Sequence, residues 1–400
     1  MMRFSDRTGR CAGLNAIAEL AGRLADDGVE ILNLSDSNPT RHGLSPGGVL
    51  ELLSDPCALE YRPDPRGLLS ARAALAARSG GEPRDYFLSA STSEAYSWLF
   101  KLLCDPGDTI LVPRPGYPLF DQLAVLESVI AEPYRLEYSH PGGWRIDMDG
   151  LKEAADKCDA KAVIVINPNN PTGSYVSGSE RIAIINLCAE RGMALIADEV
   201  FFQFALETNA GRARFAGEQG CLCFALDGLS KLLCLPQLKL GWMRISGPEA
   251  EVSEAASRLE FVADAYLSAG APVMNALPSL LGKVDVFGDS VRRRLRENLA
   301  AARSIFGGPD SACRILRCDG AWTALLEYPR YQSEEETVLG LLRDEHLAVQ
   351  PGFFFDMERD GYLALSLILR PEAFRDGAMR LRRYIDAGDD HKLARTASLK

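Results

Sequence analysis

The sequence predicts an α/β fold, on three observations. Apolar runs of strand length alternate with helical patterns between about residues 46 and 289, as in a mostly parallel sheet covered by helices on both faces. Some runs are apolar at every position, Ala162-Val163-Ile164-Val165-Ile166 above all, as strands buried on two faces must be. Clusters of Pro, Asn, Gly or Asp follow these runs, so polar groups gather where open α/β sheets bind ligands, at the carboxyl ends of the strands.

In chain order, residues 30–34 read as a strand running into Asn38-Pro39. Residues 85–90 are a strand, and Ser91-Thr92-Ser93-Glu94 then opens a helix, with Ser91 and Glu94 at capping-box spacing. Ala95, Trp98, Leu99, Leu102 and Leu103 recur at helical offsets behind it. Residues 109–113 are a strand ahead of Arg114-Pro115-Gly116-Tyr117-Pro118, and strands follow at 162–166, 193–197 and 221–226. Residues 252–261 read as a helix, and a second, interrupted stretch runs from Tyr266 to near Leu281. An arginine-rich helix over 290–305 leads into strands at 322–327 and 362–366, with helices near 334–343 and 372–385. The last dozen residues are polar and expected to fray. A chain of 400 residues exceeds one typical core. We therefore divide it into a large domain, 46–289, and a smaller α/β domain built from 1–45 and 290–400.

Composition narrows the function. With 47% hydrophobic and 25% charged residues the chain is ordinary for a soluble globular protein. A net charge of -11 argues against nucleic acid or an anionic membrane as partner, both being polyanions. No apolar run reaches membrane-spanning length and the N-terminus lacks an apolar signal core, which points to the cytoplasm. The ten cysteines show no metal-like pairing, and Cys221 and Cys223 sit two apart in a strand, as reduced core thiols would. No metal site is expected.

Three segments carry chemistry. The first is Asn167-Pro168-Asn169-Asn170-Pro171-Thr172-Gly173, a rigid turn that offers amides directly after a buried strand. The second is Asp198-Glu199, at the matching end of the next strand, where a buried carboxylate needs a partner such as a cationic ring nitrogen. The third is Gly228-Leu229-Ser230-Lys231, read as a short polar turn after the strand 221–226. A lysine held there, partly desolvated, becomes a nucleophile suited to forming a Schiff base. A fourth group is the helix start at Ser91 and Thr92, whose backbone amides face an anion. Each taken alone has a bland reading: a solvated lysine, a capping Asp, an Asn-Pro turn, a structural helix start.

In that order, these segments resemble the class I/II aminotransferases among the fold-type I enzymes that use pyridoxal 5′-phosphate (PLP), over most of the chain. The resemblance implies a large domain with a mostly parallel sheet plus a smaller α/β domain. It also implies amino-group transfer between an L-amino acid and a 2-oxo acid by a ping-pong mechanism. Carried onto this sequence, it makes Lys231 the lysine that binds PLP covalently and shuttles the substrate proton, and Asp198 the partner of the ring nitrogen. Asn170 would bond the ring hydroxyl and contact substrate, Tyr117 would stack on the ring, and Ser91, Thr92, Ser230 and Lys239 would hold the phosphate. Tyr61 resembles the tyrosine that reaches the phosphate of a partner subunit, implying a homodimer. Asn38 belongs to a loop closing over the substrate, and Phe353-Phe354-Phe355 would wall the cleft and favour uncharged substrate side chains.

Four positions depart from the family pattern. Phe201 stands where a tyrosine is common, Lys239 where an arginine is, Gly228 where a serine is, and the fourth is the position of the substrate-binding arginine; the loop Ala90-Ser91-Thr92 also lacks the glycine of the family's small-Gly-small pattern, a modest change. The arginine that grips the substrate carboxylate falls on Ala364 in one register, and Arg370 is the alternative in another. Two other functions stay open at this point: a PLP lyase performing carbon-sulfur or related elimination on the same fold, and a non-enzymatic PLP-binding protein.

Overall fold

The computed structural model describes residues 4–8, 15–207, 211–308 and 311–388; the polar tail expected to fray lies outside them. Eight strands form the main sheet in the order Tyr86–Ser89, Gly241–Ser246, Cys223–Gly228, Ala194–Asp198, Ala162–Ile166, Thr109–Arg114, Ile130–Ser139 and Gly143–Ile146. The five from Cys223–Gly228 to Ile130–Ser139 are parallel. Gly241–Ser246 lies antiparallel between Cys223–Gly228 and Tyr86–Ser89.

Ala162–Ile166 and Ala194–Asp198 are buried at every position, and the alternation along them feeds two cores. Ile164 and Ile196 pack with Trp98, Leu99 and Leu259 from helices Thr92–Leu103 and Glu249–Tyr266. Val163, Val165 and Leu195 pack with Leu151, Ile184 and Leu187 from helices Met148–Cys158 and Gly178–Arg191 on the other face. Parallel strands sheltered on both sides explain why these runs lack a polar face.

A third core joins helices Val284–Phe306, Glu334–Asp344 and Pro371–Asp386 to an antiparallel sheet of Arg314–Ile315, Thr323–Glu327, Tyr362–Ser366 and Gln350–Pro351. Leu34 and Leu44 from the N-terminal segment are buried in this core. The strand expected at 30–34 shrinks to Leu32–Asn33, which pairs in parallel with Leu347–Ala348. The helix expected over 290–305 starts at Val284 and runs through position 290 without a break. Its buried Val284, Gly288, Val291 and Leu295 keep helical spacing through a stretch whose Asp285, Gly288 and Asp289 masked it. Lys231 sits not on a polar turn but on a single helical turn, Leu229–Leu232, anchored by buried Leu229 and Leu232.

Candidate active site

The carboxyl ends of three adjacent parallel strands converge on one cavity of about 300 Å³, within the range that holds small ligands. Asn170, Asp198, Ser230, Lys231, Lys239, Tyr117, Ser91 and Thr92 all line it. Burial depresses the pKa of Lys231, because no hydrogen bond or ion pair among the described residues offsets the desolvation of its ammonium. Its Nζ instead lies 5.3 Å from the ring centroid of Phe201 and 5.0 Å from that of Trp322.

Asp198 ends its strand fully buried, and desolvation pushes its pKa up to about 6. Two donors hold it lower than burial alone would: Tyr96 Oη at 3.0 Å and the Val200 amide at 3.2 Å. A carboxylate with two donors and, among the described residues, no cation in hydrogen-bond contact is poised for a positive group from the cavity.

The asparagine turn divides its labour. Asn167 Oδ1 accepts from the Val176 amide and its Nδ2 donates to the Ala213 carbonyl. Asn169 Oδ1 accepts from Thr172 Oγ1. Both are buried and committed to the turn, so Asn170 alone of the three lines the cavity.

At the helix Thr92–Leu103, Ser91 caps the Glu94 amide as its spacing suggests, but the Glu94 carboxylate accepts from the Ala90 amide rather than closing the capping box. The first amides of the helix are thereby left for a ligand. Gly241 allows this arrangement, since a Cβ there would lie 2.9 Å from the backbone of Ser91 and Thr92. Gly228 faces Gly241 across the strand pair, and its own Cβ would lie 3.1 Å from Leu240 O. A side chain at 228 would need the neighbouring strand to give by a few tenths of an ångström.

A second cavity of about 420 Å³ shares Ser37, Tyr117, Leu119, Asn170 and Thr323 with the first. It is lined by neutral groups, among them Gln122, Gln350, Phe354, Phe355, Ala364 and Ser366. Phe353 is exposed, so two members of the aromatic run face the cleft.

Three expected residues stand apart from both cavities. Arg370 is exposed beside Gly43. Asn38 spends its side-chain oxygen on the Thr40 amide and hydroxyl, capping a short 3-10 helix. Tyr61 is 76% exposed. Conversely, Tyr96 and Trp322 were missed. Tyr96 lies with Phe100, four residues on, one position round the helix from the stripe of Ala95 and Leu99; Trp322 precedes a strand and has no local signal.

The parallel sheet and its lysine-bearing cavity define the fold-type I PLP architecture. The class I and II aminotransferase family profile matches residues 52–368, and the chain belongs to that family. It is 28% identical over 362 residues to an alanine aminotransferase of Mycobacterium tuberculosis, covering 86% of this chain and 83% of that one. It is 26% identical over 382 residues to the glutamate-pyruvate aminotransferase AlaA of Haemophilus influenzae, covering 91% and 92%. An alanine aminotransferase structure from Pyrococcus furiosus superposes with a TM-score of 0.86 at 23% identity, covering 96% of this chain and all of that one. An S-alkyl-thiohydroximate lyase, SUR1 of Arabidopsis thaliana, matches less, at 29% identity over 55% of this chain and 48% of its own. The chain is thus a PLP-dependent aminotransferase acting on an amino acid and a 2-oxo acid.

Proposed function

We propose that Lys231, Asp198, Asn170 and the Ser91-Thr92 helix start are the PLP site, and that the neighbouring neutral cavity receives the substrate side chain. The observation carrying this is their convergence on one cavity. Bound PLP supplies an electron sink for the carbanion formed at the substrate Cα. Asp198 keeps a negative charge at the ring nitrogen, where Tyr96 and Val200 orient it. The depressed pKa of Lys231 favours the neutral amine that attaches the cofactor and then accepts and returns the Cα proton at Nζ. Ser91, Thr92, Ser230 and Lys239 take the phosphate, Lys239 as a point charge, and Tyr117 covers the ring. Asn170 lies where both cavities meet and serves ring and substrate.

Neutral lining supports substrates with uncharged side chains, because a buried charge without a partner is costly. We assign the active unit to a homodimer with Tyr61 offered to the partner's phosphate, and the reaction to the cytoplasm. The described cysteines are all free, and no helix among the described residues is long and apolar enough to cross a membrane. Residues 46–289 and 1–45 with 290–400 are our division into domains.

The test is a half-reaction. Alanine alone should change the cofactor absorbance of the purified enzyme, and a 2-oxo acid should reverse it. Borohydride should fix the cofactor at Lys231. Uncharged donors should outpace aspartate and lysine by about tenfold or more, the equivalent of about 1.4 kcal/mol. Product release from one substrate without an acceptor would instead favour elimination.

A further inference from the structure

Asp198 and Lys231 occupy the cavity side of the two central strands; the same strand ends carry a second charged group directed away from the cavity. Glu199, next after Asp198, is 1% exposed and does not line either cavity. Asp227 closes the neighbouring strand one residue before Gly228, its Oδ1 accepting from the Gly228 amide at 2.8 Å. One cation lies between the two carboxylates. Arg214 Nη1 is 3.1 Å from Glu199 Oε2 and 3.4 Å from Asp227 Oδ2, and the guanidinium lies 4.4 Å over the Phe202 ring.

The backbone on either side of Arg214 is tied to the same strand ends. The Phe215 amide donates to Glu199 Oε1 at 2.6 Å, and the Ala213 carbonyl accepts from Asn167 Nδ2 at 3.2 Å. Residues 213–215 therefore contact the carboxyl ends of Ala162–Ile166, Ala194–Asp198 and Cys223–Gly228, the three strands that lead to Asn170, Asp198 and Lys231.

We propose that Arg214 is a positioning residue: one guanidinium, held between Glu199 and Asp227, fixes the spacing of the three strand ends and offsets both carboxylates, Asp227 being the one that acts on Asp198. The proposal rests on our assignment of Asp198 and Lys231 to the cofactor. Removing one partner of a buried charge cluster leaves the others uncompensated, which costs far more than the cluster contributes when whole. Asp227 already disfavours ionised Asp198, so an unscreened Asp227 would oppose the charge the ring nitrogen needs. Lys231 and the Tyr96 hydroxyl also face Asp198, and Arg78 acts on Asp227; neither cation bonds Glu199 or Asp227 in place of Arg214.

The experiment compares full-length wild type, Arg214→Gln and Arg214→Lys. It reads the melting temperature of the cofactor-free protein, the PLP dissociation constant, and kcat and KM for alanine. Arg214→Gln should lower kcat by about tenfold or more with KM within about threefold. It should also weaken PLP binding, while Arg214→Lys or millimolar guanidinium salt recovers most of both. Values for Arg214→Gln within about twofold of wild type overturn the proposal. So do equal losses in both variants without rescue, which would make Arg214 a space-filler. Should Arg214→Gln not fold, Arg214→Lys decides: kcat within about tenfold of wild type supports the proposal and a larger loss overturns it. Wild type that yields no borohydride adduct at Lys231 refutes the site assignment itself, a result separate from any of these.

Discussion

Replacing Tyr96 with Phe tests whether Asp198 is a carboxylate waiting for a cation. Desolvation lifts its pKa from 3.8 to about 6; at about 1.36 kcal/mol per unit, the charged form costs the folded cofactor-free protein about 3 kcal/mol. Tyr96→Phe removes a buried donor at 3.0 Å while keeping the ring. A hydrogen bond to a charged acceptor contributes about 1.5–3 kcal/mol, so the Asp198 pKa should climb by a further one to two units or so. The sign follows from linkage. The folded pKa lies above the unfolded one, so the folded state keeps a proton that the unfolded state has lost. Stability therefore falls as pH rises from about 4 through about 6 in wild type, and the fall should extend to about 7 or 8 in Tyr96→Phe. Glu199, raised to about 7 by burial, titrates in the same window, so each protein is compared with its Asp198→Asn counterpart, in which only the Asp198 contribution is gone. The assay is thermal unfolding of cofactor-free protein across this pH range. PLP affinity should also drop by about tenfold. An unchanged or lowered midpoint in Tyr96→Phe would refute the reasoning.

Two further substitutions probe the cavity walls. Phe201→Tyr places a phenol beside Lys231, and the pH midpoint of the bound cofactor's visible absorbance should fall, since a donor favours the deprotonated ring oxygen; an equal or higher midpoint counts against our placement of Phe201. Gly241→Ala should weaken PLP binding by about tenfold through overpacking of about 1–3 kcal/mol at the helix start. Gly22→Ala, where the added methyl meets nothing within 4 Å, should leave binding unchanged, and equal effects of the two would deny Gly241 its role.

The central sheet was legible because burial on both faces strips polar residues from a strand, and Ala162–Ile166 is assigned to the residue. Tyr362–Ser366 is likewise found whole. Which residues share the cleft was legible where type and order carried it: those at 91, 92, 117, 170, 198, 230, 231 and 239 line one cavity. Contributions from distant segments were not legible. Arg214 meets Glu199 across fifteen residues and Asp227 across thirteen, and no local pattern sets an arginine in a loop apart from a solvated one. The single helical turn under Lys231 escaped for a related reason, because Gly228 and Ser230 look like turn residues until Leu229 and Leu232 are seen to be buried. Arg370 was proposed from the need for a cation, and the cavity beside Ala364 has none among its described lining residues.

The glycines at 228 and 241 belong together. Antiparallel pairing sets Gly228 opposite Gly241, and Gly241 in turn lies under the first residues of the helix Thr92–Leu103. A serine at 228 would drive its Cβ against the neighbouring strand, and any residue at 241 would drive its own into the helix start. Three backbones pack here where side chains would otherwise intervene, so on our assignment the phosphate donors are the helix amides and flanking Ser91, Ser230 and Lys239. Lys239 lines the cavity from a left-handed backbone position, φ 51°, which few lysines adopt. On our assignment, a lysine in place of a forked donor leaves the phosphate to a point charge and to the dipole of the helix rather than to bidentate side-chain recognition.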